Sequence, residues 1–303
     1  MTTIAWVGLG FMGVPMSKHM MSAGYTVRGV DIDPAACKIA KAAGVQMFDT
    51  IAEACKGAEA VFTMLPTGSD VKQVLTGANG VFASLDKGAV VIDCSTIGIE
   101  YARNIHAAAN KAGAAFAEAP VSGGTEGAID GTLTFMIGCE APHVDRVRQL
   151  LQPMAGYVAH AGGPEAGQAA KVVNNLIMGV CVAVNCEATA LAERLGLNLK
   201  EFFEIATRST ADNWTFRVWN PGVGVVASAP ASKGYKAGFK TWLLAKDLTL
   251  AMDAGREVGV TIATAEAAHA LLQNHIDHGG ADMDATSLVL ALGKEEAKQA
   301  KIA

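Results

Sequence analysis

Short apolar runs alternate with amphipathic stretches along the first half of the chain. The runs have the length and composition of buried strands, at residues 4–7, 26–30, 60–64, 89–92, 114–117, 134–137 and 157–160. Helical periodicity lies between most of them, at residues 12–23, 34–43, 69–75 and 99–112. Strand and helix in alternation predict an α/β fold with a doubly wound, mainly parallel sheet.

The pattern changes after Gly162-Gly163-Pro164. Residues 165–195 contain no proline and are apolar on most faces, which predicts a long helix buried between domains or subunits. Further helices are predicted at residues 198–207, 243–258, 262–278 and 286–300, with no strand among them. Residues 221–240 form one long irregular stretch, a type of segment that is often functional. We therefore expect two domains, residues 1–163 around the sheet and an all-α domain over residues 164–303.

Composition narrows the class of protein. The chain has 303 residues, of which 51% are apolar, and its 24 basic and 29 acidic residues include no basic cluster. These values fit a globular enzyme and argue against nucleic acid or an anionic membrane as a partner. The start of the chain lacks a signal-peptide pattern, and the apolar stretch at residues 176–184 is shorter than the roughly 20 residues of a membrane span. We expect a cytoplasmic protein with no membrane segment.

The six cysteines include no CxxC pair, and most of them lie in apolar periodic segments. This usage is typical of reduced core thiols rather than of disulfides or metal ligands. No metal site is expected.

The first strand runs directly into Gly8-Leu9-Gly10-Phe11-Met12-Gly13, and a helical pattern follows. In a dinucleotide-binding loop, Gly8 allows the tight turn, Gly10 lets a pyrophosphate approach the backbone, and Gly13 lets the helix pack on the strand. The N-terminus of the helix then faces the anion. The strand before the glycines and the helix after them make a dinucleotide site a better interpretation than a simple βα turn.

Asp31 follows Gly13 by eighteen residues, at the end of the second strand. A carboxylate there can accept hydrogen bonds from the adenosine ribose and would repel a 2′-phosphate. Since no Arg or Lys is adjacent to it, the sequence favours NAD over NADP. The alternative is a solvated turn residue or helix cap, for which Asp33 before Pro34 is the better candidate.

Two further segments carry candidate chemistry. Ser122, Gly123 and Gly124 follow a strand and offer a hydroxyl and backbone N–H groups to a carboxylate, although the same residues suit an ordinary turn. Lys171 and Asn175 lie four residues apart in the long apolar helix and share one face. Burial would favour the neutral amine of Lys171 and suit it to proton transfer, while Asn175 could hold a substrate oxygen. A lysine that extends to solvent is the alternative.

Lys246 and Asp247 interrupt another apolar helix. An ion pair at the domain interface is one interpretation of these two residues. A lysine that reaches the cofactor is the other.

Six motifs then occur in an order that resembles the β-hydroxyacid dehydrogenase family. They are GLGFMGVPM at 8–16, MLP at 64–66, DCST at 93–96, EAPVSGG at 118–124, GQAAKVVNN at 167–175 and AKDL at 245–248. Within this family the chain is most similar to 3-hydroxyisobutyrate dehydrogenases, through Trp214 and the residues that follow it. The chain departs from the family at Glu118, where Asp is usual, and residues 214–240 match only in part.

The resemblance implies a Rossmann domain, a long interdomain helix and an all-helical domain for substrate binding and oligomerisation. It also implies NAD(P)-dependent oxidation of a 3-hydroxy acid to its semialdehyde, as in valine degradation, with Lys171 as the general acid/base and Asn175 orienting the reacting group. Substrate would be bound by Ser122, Gly123, Gly124, Trp214 and Asp247. The cofactor would be lined by the loop of residues 8–13 together with Asp31, Leu65, Pro66, Thr96 and Lys246.

The substrate stays open at this point. An aliphatic acid such as 3-hydroxyisobutyrate suits the Trp214 segment, while glycerate or tartronate semialdehyde, serine and a sulfonated analogue are alternatives. An imine reductase and a non-catalytic dinucleotide-binding protein are further alternatives, and the presence of Lys171 and the Ser122-Gly123-Gly124 segment argues against both. The apolar long helix predicts a homodimer or homotetramer.

Overall fold

The computed structural model describes residues 2–292. Within them the chain forms two compact units that divide between Lys171 and Val172. The domain boundary expected after residue 163 stays a prediction.

The first unit is built on one nine-stranded sheet. Its strands are β1 (Thr3–Val7), β2 (Thr26–Val30), β3 (Gln46–Met47), β4 (Ala60–Thr63), β5 (Val90–Asp93), β6 (Ala115–Glu118), β7 (Val121–Ser122), β8 (Leu133–Cys139) and β9 (Ala155–Gly162). The strands β3-β2-β1-β4-β5-β6 pair in parallel in that order. Strand β8 pairs antiparallel with both β6 and β7, and parallel with β9. This is the doubly wound, mainly parallel sheet that the alternating pattern predicts.

Helices of the first unit connect these strands. They are α1 (Gly13–Ser22), α2 (Pro34–Ala42), α3 (Ile51–Cys55), α4 (Gly68–Thr76), α5 (Val81–Ser84), α6 (Ile99–Ala112), α7 (Gly124–Asp130) and α8 (Val144–Leu151). All seven predicted strands and all four predicted helices of this half are present, to within a few residues at their ends.

Both faces of the sheet are buried, because successive side chains of a strand point to opposite faces. On one face Ile4 and Trp6 join a core in which the Trp6 ring stacks on Phe62 with centroids 4.9 Å apart. On the other face Ala5 joins Val61 in a second core. Helices that cover two apolar faces fix the sheet in the middle of the unit and leave the ends of the strands open for loops.

A 29-residue helix, α9 (Ala166–Arg194), begins in the first unit and continues into the second. The other helices of the second unit are α10 (Leu199–Ala206), α11 (Trp214–Val218), α12 (Thr241–Val258) and α13 (Ala263–His275). Its core joins α9, α12 and α13 through side chains such as Val182, Leu248 and Leu272. The long helix and the helical character of this half are confirmed.

The helix predicted over residues 262–278 corresponds to α13 and the π-helical turn over Ile276–Gly280 that follows it, in which the backbone leaves helical geometry at His278 and Gly279 has a φ of 93°. Another helix prediction in this half is wrong in part. The helix predicted over residues 286–300 is instead a short 3₁₀ helix over Ala285–Leu290, started by the Asp284 side chain, which accepts from the Thr286 N–H. The remainder of that prediction, from residue 293 onward, lies outside the described residues.

The apolar stretch at residues 176–184 lies inside α9, and the whole helix, unlike that stretch alone, is longer than a membrane span requires. Among the described helices, α9 is long and apolar enough to span a membrane, and a little under half of its most apolar part is buried in the fold. Buried core helices of soluble proteins have the same properties, so this feature alone is weak support for a membrane segment.

Candidate functional site

The glycines after β1 have geometric reasons to be glycine. Gly8 has a φ of 92°, and a Cβ placed there would lie 2.3 Å from the Met64 carbonyl oxygen. A Cβ at Gly13 would lie 2.1 Å from the Gly8 carbonyl oxygen, so the start of α1 can pack on β1 only without a side chain. A Cβ at Gly10 would meet nothing within 4 Å. The backbone at Gly10 therefore borders open space, as the approach of a pyrophosphate requires.

Asp31, which directly follows β2, is hydrogen-bonded to this loop through its carboxylate. Its Oδ2 accepts a 2.5 Å hydrogen bond from the Leu9 N–H, and its Oδ1 accepts from the Asp33 N–H at 2.8 Å. The cap of α2 is a separate residue, since Asp33 accepts from the Ala35 N–H at 2.9 Å. Each carboxylate oxygen of Asp31 has a further lone pair available to a ribose hydroxyl. The neighbouring Ile32 is fully exposed, and so is most of Phe11 in the glycine loop.

The loops after β4 and β5 are joined by buried polar groups. The Leu65 N–H donates to Ser95 Oγ at 2.9 Å, and Ser95 Oγ in turn donates to Asp93 Oδ1 at 2.6 Å. Thr63 Oγ1 donates to the same Asp93 oxygen at 2.7 Å. Leu65 and Thr96, two predicted cofactor-lining residues, are thereby placed on loops that share one hydrogen-bond network.

Asp93 is the centre of this network and was not among the predicted site residues. Its carboxyl is wholly buried, and burial raises its pKa from 3.8 to about 6, although hydrogen bonds from Ser95 and Thr63 oppose the rise. Its Oδ2 accepts no hydrogen bond within the described part of the chain. The DCST motif contains Asp93 and Ser95, but no spacing rule in the sequence predicts that the carboxylate is internal.

A second unpredicted group, Gln168, holds the start of α9. Its Oε1 accepts from the Ile97 N–H at 3.0 Å and the Gly98 N–H at 3.1 Å, while its Nε2 donates to the Ser95 carbonyl oxygen at 2.8 Å. The side chain is buried. It connects the loop that contains Thr96 to the helix on which Lys171 lies.

Glu118, the residue that departs from the family pattern, is a buried structural group. Its Oε2 is hydrogen-bonded to His106 Nε2, and its Oε1 accepts from the Gly167 N–H at 3.2 Å. Burial raises the pKa of Glu118, and the hydrogen bond from His106 opposes that rise. Its carboxylate therefore fixes the backbone immediately before Gln168.

Ser122 ends β7, and Gly123 and Gly124 lead into α7. Both glycines have positive φ, 131° and 63°, which an L side chain rarely adopts. The glycines are exposed and Ser122 is half-buried. Because the first N–H groups of a helix have no partner within the helix, this turn can present donors to a carboxylate.

Lys171 lies on α9 at the end of the first unit, and its side chain is 7% exposed. Asn175 follows one turn later on the same helix and is 1% exposed. A spacing of four residues places both on one side of α9.

In the second unit, Asn175 is hydrogen-bonded to Asp247 of α12, which lies next to Lys246. Its Nδ2 donates to Asp247 Oδ2 at 2.5 Å, and Lys246 Nζ lies 3.2 Å from Asp247 Oδ1. The Asn175 oxygen accepts from the Asn174 side chain at 2.9 Å. Asp247 is buried and thus orients Asn175 directly.

Trp214 begins α11 and is half exposed. The centroid of its ring lies 6.4 Å from that of Trp219, and the centroids of the Trp219 and Phe239 rings are 6.1 Å apart. The predicted substrate-contacting ring therefore belongs to an aromatic cluster in the second unit.

The cysteines are all unpaired thiols. Over residues 2–292, no group of three or more His, Cys, Asp or Glu side chains is arranged to hold a metal ion.

Two family models match the chain. The model described as the NAD binding domain of 6-phosphogluconate dehydrogenase matches residues 3–163. The model described as the NAD-binding domain of NADP-dependent 3-hydroxyisobutyrate dehydrogenase matches residues 165–292.

Similar proteins cover almost the whole chain. A probable 3-hydroxyisobutyrate dehydrogenase of Mycobacterium tuberculosis is 42% identical over 96% of this chain and 98% of its own. An NAD-dependent L-serine dehydrogenase of Pseudomonas aeruginosa is 40% identical over 94% of this chain and 95% of its own. The solved structure of the M. tuberculosis 3-hydroxyisobutyrate dehydrogenase with L-serine has a TM-score of 0.87 and 41% identity, over 96% of this chain and 99% of that chain.

Proposed function

The chain belongs to the 3-hydroxyisobutyrate dehydrogenase family, and we propose that it is an NAD-dependent oxidoreductase that interconverts a small 3-hydroxy acid and its semialdehyde. Residues 1–163 form the dinucleotide-binding domain in this proposal, and residues 164–303 form the substrate and oligomerisation domain. The observation that carries the cofactor assignment is the Asp31 carboxylate, bonded to the Leu9 N–H of the glycine loop.

The residues of the loop fit a dinucleotide. Gly8, Gly10 and Gly13 would hold the pyrophosphate, with Leu9, Phe11 and Met12 between them, and Asp31 would accept from the ribose hydroxyls. The open space at Gly10 supports this assignment. Leu65, Pro66, Thr96 and Lys246 would line the remainder of the cofactor. Bound NAD supplies the acceptor for the two electrons that the alcohol loses.

Residues of the chain provide binding and proton transfer. Lys171, in its neutral form, takes the hydroxyl proton during oxidation and returns it during reduction. Asn175, oriented by Asp247, holds the reacting oxygen. Ser122 with the N–H groups of Gly123 and Gly124 binds the carboxylate of the acid.

The leading substrate is 3-hydroxyisobutyrate, whose methyl group would contact the exposed side of Trp214. In that case the reaction is a step of valine degradation in the cytoplasm. L-serine is the second candidate, because a 40% identical relative is an L-serine dehydrogenase and a 41% identical structure holds L-serine. Both share the 3-hydroxyl and the carboxylate that the proposed groups recognise.

We also propose a homodimer or homotetramer. The apolar side chains of Val173, Ile177, Val184 and Leu191 are exposed on α9. Their spacings of four, seven and seven residues place them along one face of the helix, where a second copy of the chain would cover them. Sedimentation should show the assembly at micromolar concentration. Ile177→Asp with Val184→Asp should dissociate it, whereas Glu193→Gln, at an exposed position on the opposite side of α9, should not. A wild-type monomer would contradict the proposal.

The function is tested with purified protein by following the absorbance of the reduced nicotinamide. 3-Hydroxyisobutyrate, L-serine, glycerate and a sulfonated 3-hydroxy acid are compared with NAD and with NADP. We expect turnover of at least one 3-hydroxy acid with NAD, with 3-hydroxyisobutyrate giving the highest kcat/KM. Lactate, which lacks the 3-hydroxyl, is the control substrate. Absence of turnover with every 3-hydroxy acid would contradict the proposed function.

A further inference from the structure

Gln168 is buried near the start of α9, three residues before Lys171. Its side chain makes three hydrogen bonds to the backbone of residues 95–98, each between 2.8 and 3.1 Å. These partners fix the orientation of the amide, because only its oxygen can accept from two N–H groups and only its nitrogen can donate to a carbonyl. One side chain therefore attaches the first turn of α9 to the loop after β5.

The same network extends to the loop after β4. Ser95, whose carbonyl oxygen accepts from Gln168, also accepts from the Leu65 N–H through its hydroxyl. Leu65 and Thr96 are the residues proposed to line the cofactor on these two loops. The path from the cofactor loops to α9 thus runs through Ser95 and Gln168.

Gly98 explains why a side chain from elsewhere is needed. It is the N-cap residue that precedes α6, with a φ of 83°, and it has no side chain to cap the helix. Gln168 Oε1 provides the acceptor for the Gly98 N–H, one of the groups that a helix cannot satisfy internally. Without Gln168 the two N–H groups would be buried without a partner, and the loop would be driven toward another conformation.

We propose that Gln168 is a positioning residue that couples the dinucleotide-binding loops to the placement of Lys171. The inference rests on the proposed function, since it assigns Gln168 an effect on both cofactor binding and turnover. Gln168 acts through Thr96 and Lys171 and takes no part in proton transfer. Its removal should therefore weaken NAD binding and slow the reaction together, whereas removal of Lys171 should slow the reaction alone.

The first variant is Gln168→Ala. We expect its KM for NAD to rise about 10-fold and its kcat to fall about 10- to 100-fold, because small displacements of positioned groups cost rates of this order. The kcat is expressed per site that binds NADH, so that unfolded protein is not counted. The control is Ser287→Ala, which removes another buried hydrogen bond, between Ser287 and His275 in the second unit. It should leave KM for NAD and kcat within about twofold of wild type.

Gln168→Glu separates positioning from general stability. A protonated carboxyl has one acceptor oxygen and one O–H donor and so reproduces the pattern of the amide, whereas an ionised carboxylate cannot donate to the Ser95 carbonyl. The affinity of Gln168→Glu for NADH, relative to wild type, should improve several-fold as the pH falls from about 8 to about 6. If Gln168 contributed to stability alone, the substitution would change the amount of folded protein. It would not change the ratio of the NADH affinity of Gln168→Glu to that of wild type.

The inference is overturned if Gln168→Ala keeps the NAD KM and the kcat per binding site of wild type, or if the Gln168→Glu ratio does not change with pH. Failure of the proposed function would give a different result, because the wild-type protein would then turn over no 3-hydroxy acid. NADH binding to the Gln168 variants remains measurable in that case and still decides whether Gln168 holds the cofactor loops.

Discussion

The Asn175 side-chain amide donates a 2.5 Å hydrogen bond to Oδ2 of Asp247, a carboxylate that is 3% exposed. Lys246 lies 3.2 Å from the other oxygen of Asp247. A buried carboxylate between a lysine and an amide fixes which way the amide points, because the ionised oxygen can only accept. Asp247 thus determines the orientation of Asn175, and we propose that it contributes to substrate binding through Asn175.

Asp247→Ala should lower kcat/KM for the hydroxy acid by about 10- to 100-fold, since a hydrogen bond to a charged group is worth about 1.5–3 kcal/mol. Asp247→Asn keeps an acceptor for Asn175 and should lose less. Initial rates at saturating NAD measure the effect. Asp253→Ala is the matched control, because Asp253 lies on the same helix and pairs with Arg256 at the surface. Equal losses in the Asp247→Ala and Asp253→Ala proteins would contradict the assignment.

The cofactor preference should depend on Asp31. Asp31→Ala with Ile32→Arg removes the carboxylate that repels a 2′-phosphate and adds a guanidinium, for which the fully exposed position 32 has room. We expect the ratio of kcat/KM for NADP to that for NAD to rise by about 10-fold or more.

Asp33→Ala is the control for this pair of substitutions. It removes the cap of α2 and should cost about 1 kcal/mol of stability without changing the cofactor ratio. A wild-type enzyme that already prefers NADP under matched conditions would show that Asp31 does not select NAD.

The stability of the protein should depend on pH through Asp93. Burial raises its pKa from 3.8 to about 6, so the folded state retains a proton that the unfolded chain releases between these values. The wild type therefore loses stability as the pH rises through this window, and the loss is complete above it. Asp93→Asn does not titrate but keeps an acceptor oxygen for Ser95 and Thr63. Its free energy of unfolding relative to wild type should rise by about 2 kcal/mol from about pH 4 to about pH 6.

Urea denaturation at fixed protein concentration measures this difference. Asp145→Asn is the control, because Asp145 is 91% exposed and its difference from wild type should vary little with pH. A flat difference for Asp93→Asn across the same window would show that Asp93 is ionised in the folded protein throughout.

The regular elements of the sheet could be predicted because an apolar strand and an amphipathic helix differ in period. Strand β3 has two residues and helix α5 has four, about one helical turn, so neither is long enough to establish its own period. Two omissions did have a sequence signal. Thr50 and Glu53 form a capping box at the start of α3, and Val144, Val147 and Leu151 have helical spacing in α8. The helix predicted at residues 286–300 shows that apolar composition alone does not separate an α-helix from a 3₁₀ turn.

Site residues can be proposed from the sequence where chemistry follows a local motif, as in the glycine loop and Asp31. The groups that hold the loops could not, because Gln168 bonds to residues some seventy positions earlier in the chain. The sequence does not distinguish a buried Gln or Asp from an exposed one. Only the fold determines whether the side chain hydrogen-bonds to water or to the backbone. The roles of all the predicted site residues stay predictions, and the substitutions test those of Asp31, Lys171 and Asp247.

Lys171→Ala should reduce kcat by about 10²- to 10⁴-fold, as expected for the loss of a positioned general acid/base. NADH binding, measured by fluorescence, should be nearly unchanged because the residues proposed to hold the dinucleotide, the glycine loop and Asp31, are intact. Lys111→Ala, which removes an exposed lysine from the last turn of α6, is the control and should retain wild-type turnover. A comparable loss in Lys111→Ala would show that the effect is not specific to position 171.

Lys171→Arg decides between proton transfer and a purely electrostatic role. It preserves a positive charge, but a guanidinium stays protonated and cannot take the hydroxyl proton. The variant should therefore be nearly as inactive as Lys171→Ala. If Lys171 takes the proton, the residual oxidation rate of the variant should lose the pH dependence that the wild-type rate shows. An arginine variant with most of its activity and an unaltered pH profile would show that another group carries the proton.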